Sequence, residues 1–353
     1  MKKRSFIYSV VSLLMLGGAT VDAQGPGGPP NGMQPPRDGR GAPGSGRQHT
    51  ATEAAPLDLV PATEEPPART EVEIRKRGRK RSIESNGMPN HLIGEFPNPG
   101  NPNVVAEQDF DIEIPSRPEV AEEVTWLQGN LAKREFKVFG ITLDGVFFEP
   151  GAGEFWMGRP SGEWNYEALG GAVPLGLDTN YAHVQPGGKY HYHGMPTGLM
   201  KRLGYEKGDH SPLIGWAADG FPIYAVYGYE DAENAGSGVV EMKTSFRLKE
   251  GSRPGGDDAP GGEYDGAFFA DYEYVPGLGT LDECNGRFCV TPEFPDGTYA
   301  YFLTTEWPVV PRALRGTPSQ MRGATDNGPG EEGRRPPGGP GGMRPPGGGP
   351  PPR

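Results

Sequence analysis

The clearest regular pattern in this chain is a series of short apolar runs that are interrupted by turn residues. Two such runs in REFKVFGITLDGVFFEP (134–150) flank Asp144-Gly145, and Asp-Gly between apolar runs is a strong signal for a β-hairpin. FPIYAVYGY (221–229) and TYAYFLTT (298–305) are rich in β-branched and aromatic residues, which favour strands. These runs predict a domain that is built mainly from β-strands.

Helical signals are weaker and fall in two short stretches. WNYEALGG (164–171) and GLMKRLGYEKG (198–208) each contain glycine near the end, as a short helix would. The glycine-rich and acidic stretch at 250–266 predicts a surface loop. We therefore predict an all-β or mostly β fold, similar to a β-sandwich, with long loops and one or two short helices.

Glycine and proline divide the chain into three parts. The sequence has 353 residues with 57 glycines and 40 prolines, and these are densest near the two ends. Residues 24–68 and 321–353 contain too little apolar material to offset the entropy lost on ordering, so we predict that both are disordered. The block between them, 69–320, holds all five tryptophans and predicts one large β-rich domain.

The first 23 residues have the pattern of a secretory signal peptide. Basic residues at 2–4 precede an apolar run at 6–16, and Ala23 ends a small-residue cleavage pattern. The apolar run is shorter than the roughly 20 residues that span a bilayer, so we expect no stable membrane insertion after cleavage. The sequence thus predicts a secreted, periplasmic or cell-surface protein.

The charge of the chain limits the classes of partner. The formal net charge is −12, and removal of residues 1–23 would change it to −14. An acidic chain is a poor partner for nucleic acid or for anionic membranes, because binding phosphate groups requires a basic surface. The sequence also lacks a Walker loop and a dinucleotide-binding fingerprint, so we expect no nucleotide cofactor. A ligand should then be a small molecule or a polysaccharide.

The chain contains two cysteines, Cys284 and Cys289, in CNGRFC. In an oxidising compartment, a pair this close in sequence is typical of a disulfide. The alternative is a pair of thiolate ligands for a soft metal ion. The predicted secretion favours the disulfide.

Three of the six histidines lie within eleven residues, in HVQPGGKYHYH (183–193). Side chains alternate between the two faces of a strand. His191 and His193 would therefore share one face, while Tyr190 and Tyr192 would pack on the other. The motif thus places two imidazoles side by side on one rigid element.

The turn at 185–188 decides whether His183 lies beside this pair. A two-residue loop would pair His183 with Tyr190, on the tyrosine face. A three-residue loop would pair it with His191, and Gly188 would then take the left-handed position of a type I turn followed by a bulge. Because Gly188 suits that position, we predict that His183, His191 and His193 share one face.

Three neutral imidazoles with an open fourth position suit a zinc or copper ion. Such an ion can activate a bound water molecule, and copper can support redox chemistry in which Tyr190 or Tyr192 would take part. The sequence does not decide between these two ions, between catalysis and simple binding, or among substrates. His91 lies in an Asn/Gly/Pro-rich loop (85–103) and is a fourth candidate ligand.

Four further residues are candidates for positioning the ligands. Asp219 and Asp282 lie beside predicted strands and could hold an imidazole in one tautomer. Tyr190 and Tyr192 neighbour the histidines in sequence and are included for the same role. His49 lies in the predicted disordered segment and is set aside, and His210 is a weaker candidate for the site.

NYAHVQPGGKYHYHGMPTGL resembles the signature of the YHYH-domain family, which is named for residues 190–193. Further blocks are similar to those of the family and occur in the same order: SNGMPNH with FPNPGNPN, GVFFEPGAGEFW, LIGWAADGFPIY and LDECNGRFCVTPEFPDGTYAYF. Ala225 stands where the family has glycine, which affects only the local turn. The resemblance covers about 70–316. It implies a secreted or cell-surface domain, and it places His91 and the three clustered histidines in family blocks.

Two other functions fit the same sequence. A non-catalytic module for glycans or cell-wall polymers would use Trp156, Trp164 and Trp216 as contacts, with the histidines as hydrogen-bond donors. A structural surface protein would use its Gly/Pro-rich ends as spacers. A metal site predicts three imidazoles within a few ångströms of one another, whereas a glycan module predicts exposed, coplanar aromatic rings.

Overall fold

The computed structural model describes residues 49–127, 138–159 and 162–321. The predicted signal peptide and the predicted tail beyond residue 321 lie outside these residues. The first strands in chain order are β1 (Val72–Arg77), β2 (Lys80–Ser85), β3 (Phe110–Pro115), β4 (Val120–Trp126), β5 (Gly140–Thr142), β6 (Phe147–Phe148), β7 (Gly151–Phe155), β8 (Asn165–Glu167), β9 (Ala182–Val184) and β10 (Tyr190–Tyr192). After helix α1 (Thr197–Arg202) come β11 (Leu213–Ala217), β12 (Pro222–Tyr224), β13 (Tyr227–Tyr229), β14 (Val239–Glu241), β15 (Phe246–Leu248), a 3-10 turn (Phe269–Asp271), β16 (Tyr272–Tyr274), β17 (Gly286–Thr291), β18 (Phe294–Phe302) and β19 (Ala313–Gly316).

The largest sheet is mixed and has the strand order β17-β18-β12-β11-β5-β6-β10-β9. β12 with β18 and β6 with β10 are parallel pairs, and the other neighbours are antiparallel. A second, antiparallel sheet consists of β1, β2 and β3. The remaining strands form two-stranded pairs. The prediction of a mostly β fold is therefore confirmed.

The main core lies between the three-stranded sheet and the largest sheet. Ile83 and Ile112 from the smaller sheet share one buried cluster with Ile141 and Ile223 from the larger sheet. At the contact, the Phe110 ring lies 4.7 Å from the ring of Phe147 in edge-to-face orientation. This sheet-on-sheet packing resembles a β-sandwich, in which two inner faces interdigitate.

Two of the local predictions are confirmed and one is wrong. The Asp144-Gly145 hairpin forms between β5 and β6, and residues 197–202 form the helix α1. The stretch 164–171 was expected to be helical, but part of it is strand β8, paired with β7. The Tyr166 ring stacks on Phe268 with centroids 4.6 Å apart, so tertiary packing prevails over weak helix propensity here.

Residues 49–68 pair with the domain, although they belong to the segment that was predicted to be disordered. The rest of that predicted segment, 24–48, lies outside the described residues. Ala55 and Val60 donate backbone hydrogen bonds to the carbonyl groups of Gly170 and Leu177. The buried guanidinium of Arg253 donates to the Thr52 carbonyl at 2.6 Å. The segment gains its order from backbone pairing with the domain, which a composition argument does not detect.

The predicted disulfide is not present, because Cys284 and Cys289 are both free thiols. Cys289 lies within β17, and Cys284 lies in the turn before that strand. Cys284 packs in the main core, whereas Cys289 packs in a separate cluster with Tyr224 and Phe302. The two side chains therefore pack in different parts of the protein and are not bonded to each other.

No helix within the described residues is long and apolar enough to cross a membrane.

Candidate metal centre

The hairpin of β9 and β10 brings three histidines together at the edge of the largest sheet. His183 on β9 is the direct cross-strand partner of His191 on β10, as the three-residue loop predicts. His193 follows two residues after His191, so it projects to the same face. The backbone N–H of His193 donates to the Tyr181 carbonyl at 2.8 Å, which continues the pairing past the end of both strands.

The turn before β10 has three residues, but its type differs from the prediction. Gly188 N–H donates to the Gln185 carbonyl at 3.0 Å, and Gln185 N–H donates to the Lys189 carbonyl. Gly187 has φ +95° and Gly188 has φ +88°. Proline followed by a positive-φ glycine is the pattern of a type II turn rather than type I. Both glycines are needed, because other residues rarely adopt these positive φ values. At 188, a Cβ would also lie 2.5 Å from the Ala106 side chain.

The three imidazoles form a nearly equilateral cluster. Their ring centroids are 4.7, 4.8 and 4.8 Å apart. His193 Nε2 lies 3.1 Å from His191 Nε2 and 3.1 Å from His183 Nε2. One potential ligand atom from each residue lies within 4.8 Å of the others. Three nitrogens thus converge on one point.

Backbone carbonyl groups fix the tautomer of two of these rings. His183 Nδ1 lies 2.8 Å from the Leu175 carbonyl oxygen, and His191 Nδ1 lies 3.3 Å from that of Lys189. A carbonyl oxygen only accepts, so Nδ1 must carry the hydrogen in both rings. In the neutral rings, each Nε2 then presents its lone pair to the centre of the cluster.

Burial keeps the three rings neutral. It lowers the pKa of His183 and lowers the pKa of His191 and of His193 well below the usual value. The neighbouring histidines add to the effect at His191 and His193, as do Lys189 and Arg312 respectively. A neutral imidazole is the form that binds a metal ion.

His193 differs from the other two because its Nδ1 has no well-formed hydrogen bond. That atom is buried and without a partner among the described residues, although the Pro150 backbone acts to raise the pKa of the ring. In the neutral state, His193 can donate a hydrogen from Nε2 to one neighbour only. At least one of the two 3.1 Å nitrogen pairs then has no hydrogen bond between its atoms.

A cavity of about 690 Å³ opens beside the cluster. His191 and His193 are buried, whereas His183 is partly exposed. The cavity wall includes all three histidines together with Glu149, Glu154, His49 and Arg312. The cluster therefore lies at the wall of an accessible cavity rather than inside the apolar core.

None of these four further wall residues was predicted from the sequence to be a site residue. His49 was set aside because its segment was expected to be disordered, yet it forms a backbone bridge with Trp156. Arg312 is far from the histidines in sequence, and no local motif marks it. The fold pairs its backbone with that of Leu127, on the wall of the same cavity as the cluster.

His91 does not join the cluster, which corrects the prediction that it is a fourth ligand. Its Nδ1 donates to the Leu92 carbonyl at 2.7 Å, and its Nε2 accepts from the Tyr192 hydroxyl at 2.5 Å. Tyr192 points to the face of β10 opposite His191. The loop at 85–103 thus brings His91 to the sheet, but to the tyrosine face.

The four candidate positioning residues also contact other groups. Tyr190 donates to Asp178 at 2.7 Å on the tyrosine face. Asp219 accepts from Tyr301, and Asp282 accepts from Tyr299. Tyr192 bonds to His91, as described above. None of these contacts is with the cluster, and the groups that orient it are the carbonyls of Leu175 and Lys189. A sequence pattern of side chains cannot predict that these backbone carbonyl groups orient the histidines.

Replacement of Tyr192 by phenylalanine tests this separation of the two faces. We expect the variant to be less stable by about 1–3 kcal/mol, because the buried His91 Nε2 would lose its hydroxyl donor. Metal binding should be unchanged, since the hydroxyl lies on the other face. Urea unfolding and metal titration of the same sample measure both effects, and a loss of metal in Tyr192→Phe would contradict the assignment.

A comparison with protein-family models gives a match to the YHYH protein family over residues 111–316. This range is more than half of the chain. The chain belongs to the YHYH family. The matched range contains His183, Tyr190–His193 and Arg312, whereas His91 and the blocks at 85–103 lie before it. Neither a curated protein nor a solved structure matches the chain.

Proposed function

We propose that this YHYH protein binds one copper or zinc ion through the Nε2 atoms of His183, His191 and His193. The observation that carries the proposal is the convergence of three neutral imidazoles with His193 Nε2 only 3.1 Å from each of its neighbours. Two nitrogens bound to one zinc ion at about 2.0–2.1 Å lie about 3.3–3.4 Å apart at the tetrahedral angle. The observed spacing is therefore close to that of ligands that share an ion.

A structural role for the histidines accounts less well for this arrangement. Two nitrogens 3.1 Å apart without a hydrogen bond between them are unfavourable, and a buried polar atom without a partner costs about 1–3 kcal/mol. A cation at the centre would give the lone pair of each nitrogen a partner. The carbonyl groups on the Nδ1 atoms of His183 and His191 are also the usual outer partners of metal-binding imidazoles.

The cavity supports an open coordination position. The partly exposed side of His183 faces it, so a fourth ligand can enter from solvent. An ion with three imidazoles and an open position can supply Lewis-acid chemistry if zinc, or redox chemistry if copper. We propose secretion as the natural context, on the signal-peptide pattern of residues 1–23.

The glycan-binding alternative has less support. Trp216 is 9% exposed and lies under the Arg81 guanidinium at 3.3 Å. Trp156 and Trp164 are partly buried against a separate hydrophobic cluster. These three rings do not present the shared, exposed platform that stacking against a sugar requires.

The direct test is thermal unfolding of the metal-free protein with added zinc or copper. A ligand that binds only the folded state stabilises it by about 4 kcal/mol at 1,000 times its Kd. We expect a concentration-dependent rise in Tm for one of the two ions, and little change with magnesium, which prefers oxygen ligands. An unchanged Tm with both zinc and copper would contradict the proposal.

The lowered histidine pKa values predict a specific pH dependence for the metal-free protein. Between the unfolded pKa of about 6.5 and the lower folded values, the unfolded chain binds more protons than the folded chain. Stability therefore falls as the pH falls below about 6.5. The stabilisation that comes from the three neutral histidines is fully present above that pH.

Each of the three histidines can change the free energy of unfolding by up to about 1.4 kcal/mol per pH unit in this window. Denaturant unfolding of the wild type and of His191→Gln/His193→Gln at several pH values between 5 and 7.5 measures the difference. The variant should show a clearly shallower slope. Equal slopes would show that the two rings are not held neutral by the fold.

A further inference from the structure

The cavity wall carries both signs of charge. Arg312 lines the cavity together with Glu149 and Glu154. The Glu149 carboxylate already pairs with the buried Lys189 ammonium and accepts from Gln185. Arg312 is the group of this wall that suits an anion.

The guanidinium of Arg312 is only partly used by the protein. Arg312 is 2% exposed, and its Nη2 donates to Glu167 Oε1 at 2.5 Å. The other oxygen of Glu167 accepts from the Trp307 indole at 2.8 Å. Within the described residues, the hydrogen bonds of this guanidinium all run through Nη2, and its buried Nε has no partner. An arginine has five N–H donors, so it retains donors for a further acceptor.

Within the described residues, no carboxylate joins the three imidazoles as a ligand that would balance a metal ion. Three neutral imidazoles leave the charge of a divalent ion uncompensated at the ion itself, and a buried charge without a counter-charge is unfavourable. Glu149 and Glu167 are engaged by Lys189 and Arg312, and Glu154 lines the cavity outside the cluster. An anion that enters through the cavity can supply the counter-charge at the open position.

We infer, on the basis of the proposed metal site, that this cavity binds a small carboxylate ligand between the metal ion and Arg312. One carboxylate oxygen takes the open position on the ion. The other accepts from the guanidinium, whose planar donor set matches a carboxylate. The substrate class of the site is thus a small organic acid, and Arg312 determines the preference for it over a neutral molecule.

Cobalt-loaded protein gives a direct test, because the visible spectrum of bound cobalt responds to a new ligand. Acetate is the probe and acetamide, of the same size but neutral, is its comparison. In the wild type we expect acetate to change the spectrum in a saturable way and acetamide to have little effect. In Arg312→Gln/Glu167→Gln, which removes the buried pair together, the acetate Kd should rise by about 10- to 100-fold.

Two further variants separate this effect from general damage. Arg253→Gln/Asp271→Asn removes an equally buried ion pair that is not part of the cavity wall, and its acetate affinity should match the wild type. Glu154→Gln removes a negative charge from the cavity wall, and it should bind acetate about two- to threefold more tightly. This second variant keeps the test informative if the Arg312 variant does not fold.

The outcomes distinguish the two proposals. A wild type that takes up no cobalt, zinc or copper overturns the metal site, and the carboxylate site with it. Stoichiometric metal with an acetate Kd that is the same in the wild type and the Arg312 variant overturns the carboxylate site alone. If the Arg312 variant does not fold, the Glu154→Gln variant decides. An acetate affinity of Glu154→Gln that is equal to or lower than that of the wild type then overturns the carboxylate site alone.

Discussion

Replacement of His193 by alanine should reduce the affinity for copper or zinc by at least about 100-fold. His193 Nε2 lies 3.1 Å from the Nε2 atoms of both His183 and His191, so it is the central member of the cluster. Structural zinc sites with four ligands bind with about 10–16 kcal/mol, which is several kcal/mol for each ligand. The loss of one of three ligands should therefore reduce the free energy of metal binding more than the loss of any group outside the site.

His210→Ala is the matched control for this variant. His210 is partly buried, its Nδ1 donates to the Ser211 carbonyl, and its ring contacts Tyr224 and Tyr229 rather than the cluster. Competition titration with a metal-binding dye should give wild-type affinity for His210→Ala. Equal affinity for His193→Ala and the wild type would show that the ion is held elsewhere.

Replacement of Arg253 by methionine should reduce the free energy of unfolding by about 3–5 kcal/mol. The Arg253 side chain is fully buried and donates to both oxygens of Asp271, which is also fully buried, at 2.7 and 2.6 Å. It also donates to the Thr52 carbonyl, which fastens the N-terminal segment to the domain. Its removal would leave a buried carboxylate without its counter-charge.

Arg247→Met is the control, because Arg247 pairs with Glu273 at the surface, where both side chains are more than a third exposed. An exposed pair contributes about 1 kcal/mol or less. Urea unfolding should separate the two variants by several kcal/mol, and Arg253→Met/Asp271→Asn should recover part of the loss. A loss in Arg253→Met no larger than in Arg247→Met would contradict the assigned role.

The sequence was sufficient to predict the cluster because the cluster is local. Side-chain alternation puts His191 and His193 on one face, and the glycines of the turn set the register that brings His183 opposite His191. The strand-rich fold follows in the same way from short apolar runs and turn residues. These features depend on neighbours within about ten residues, which a sequence pattern can represent.

The predictions that were wrong depend on contacts between distant parts of the chain. His91 approaches β10, but which face it meets is set by the path of a long loop. Cys284 and Cys289 are close in sequence, yet their side chains pack in separate hydrophobic clusters. Residues 49–68 and Arg312 take their places through pairing across the domain. Local pattern carries no information on such contacts.

The most direct test of this account is the metal content of the protein, purified without a histidine tag and measured beside His191→Ala/His193→Ala. The account predicts close to one copper or zinc ion per wild-type chain, and almost none in the variant, with the variant still folded by circular dichroism. A wild-type chain that holds no metal and cannot be loaded with either ion would contradict it, as would equal metal content in both proteins.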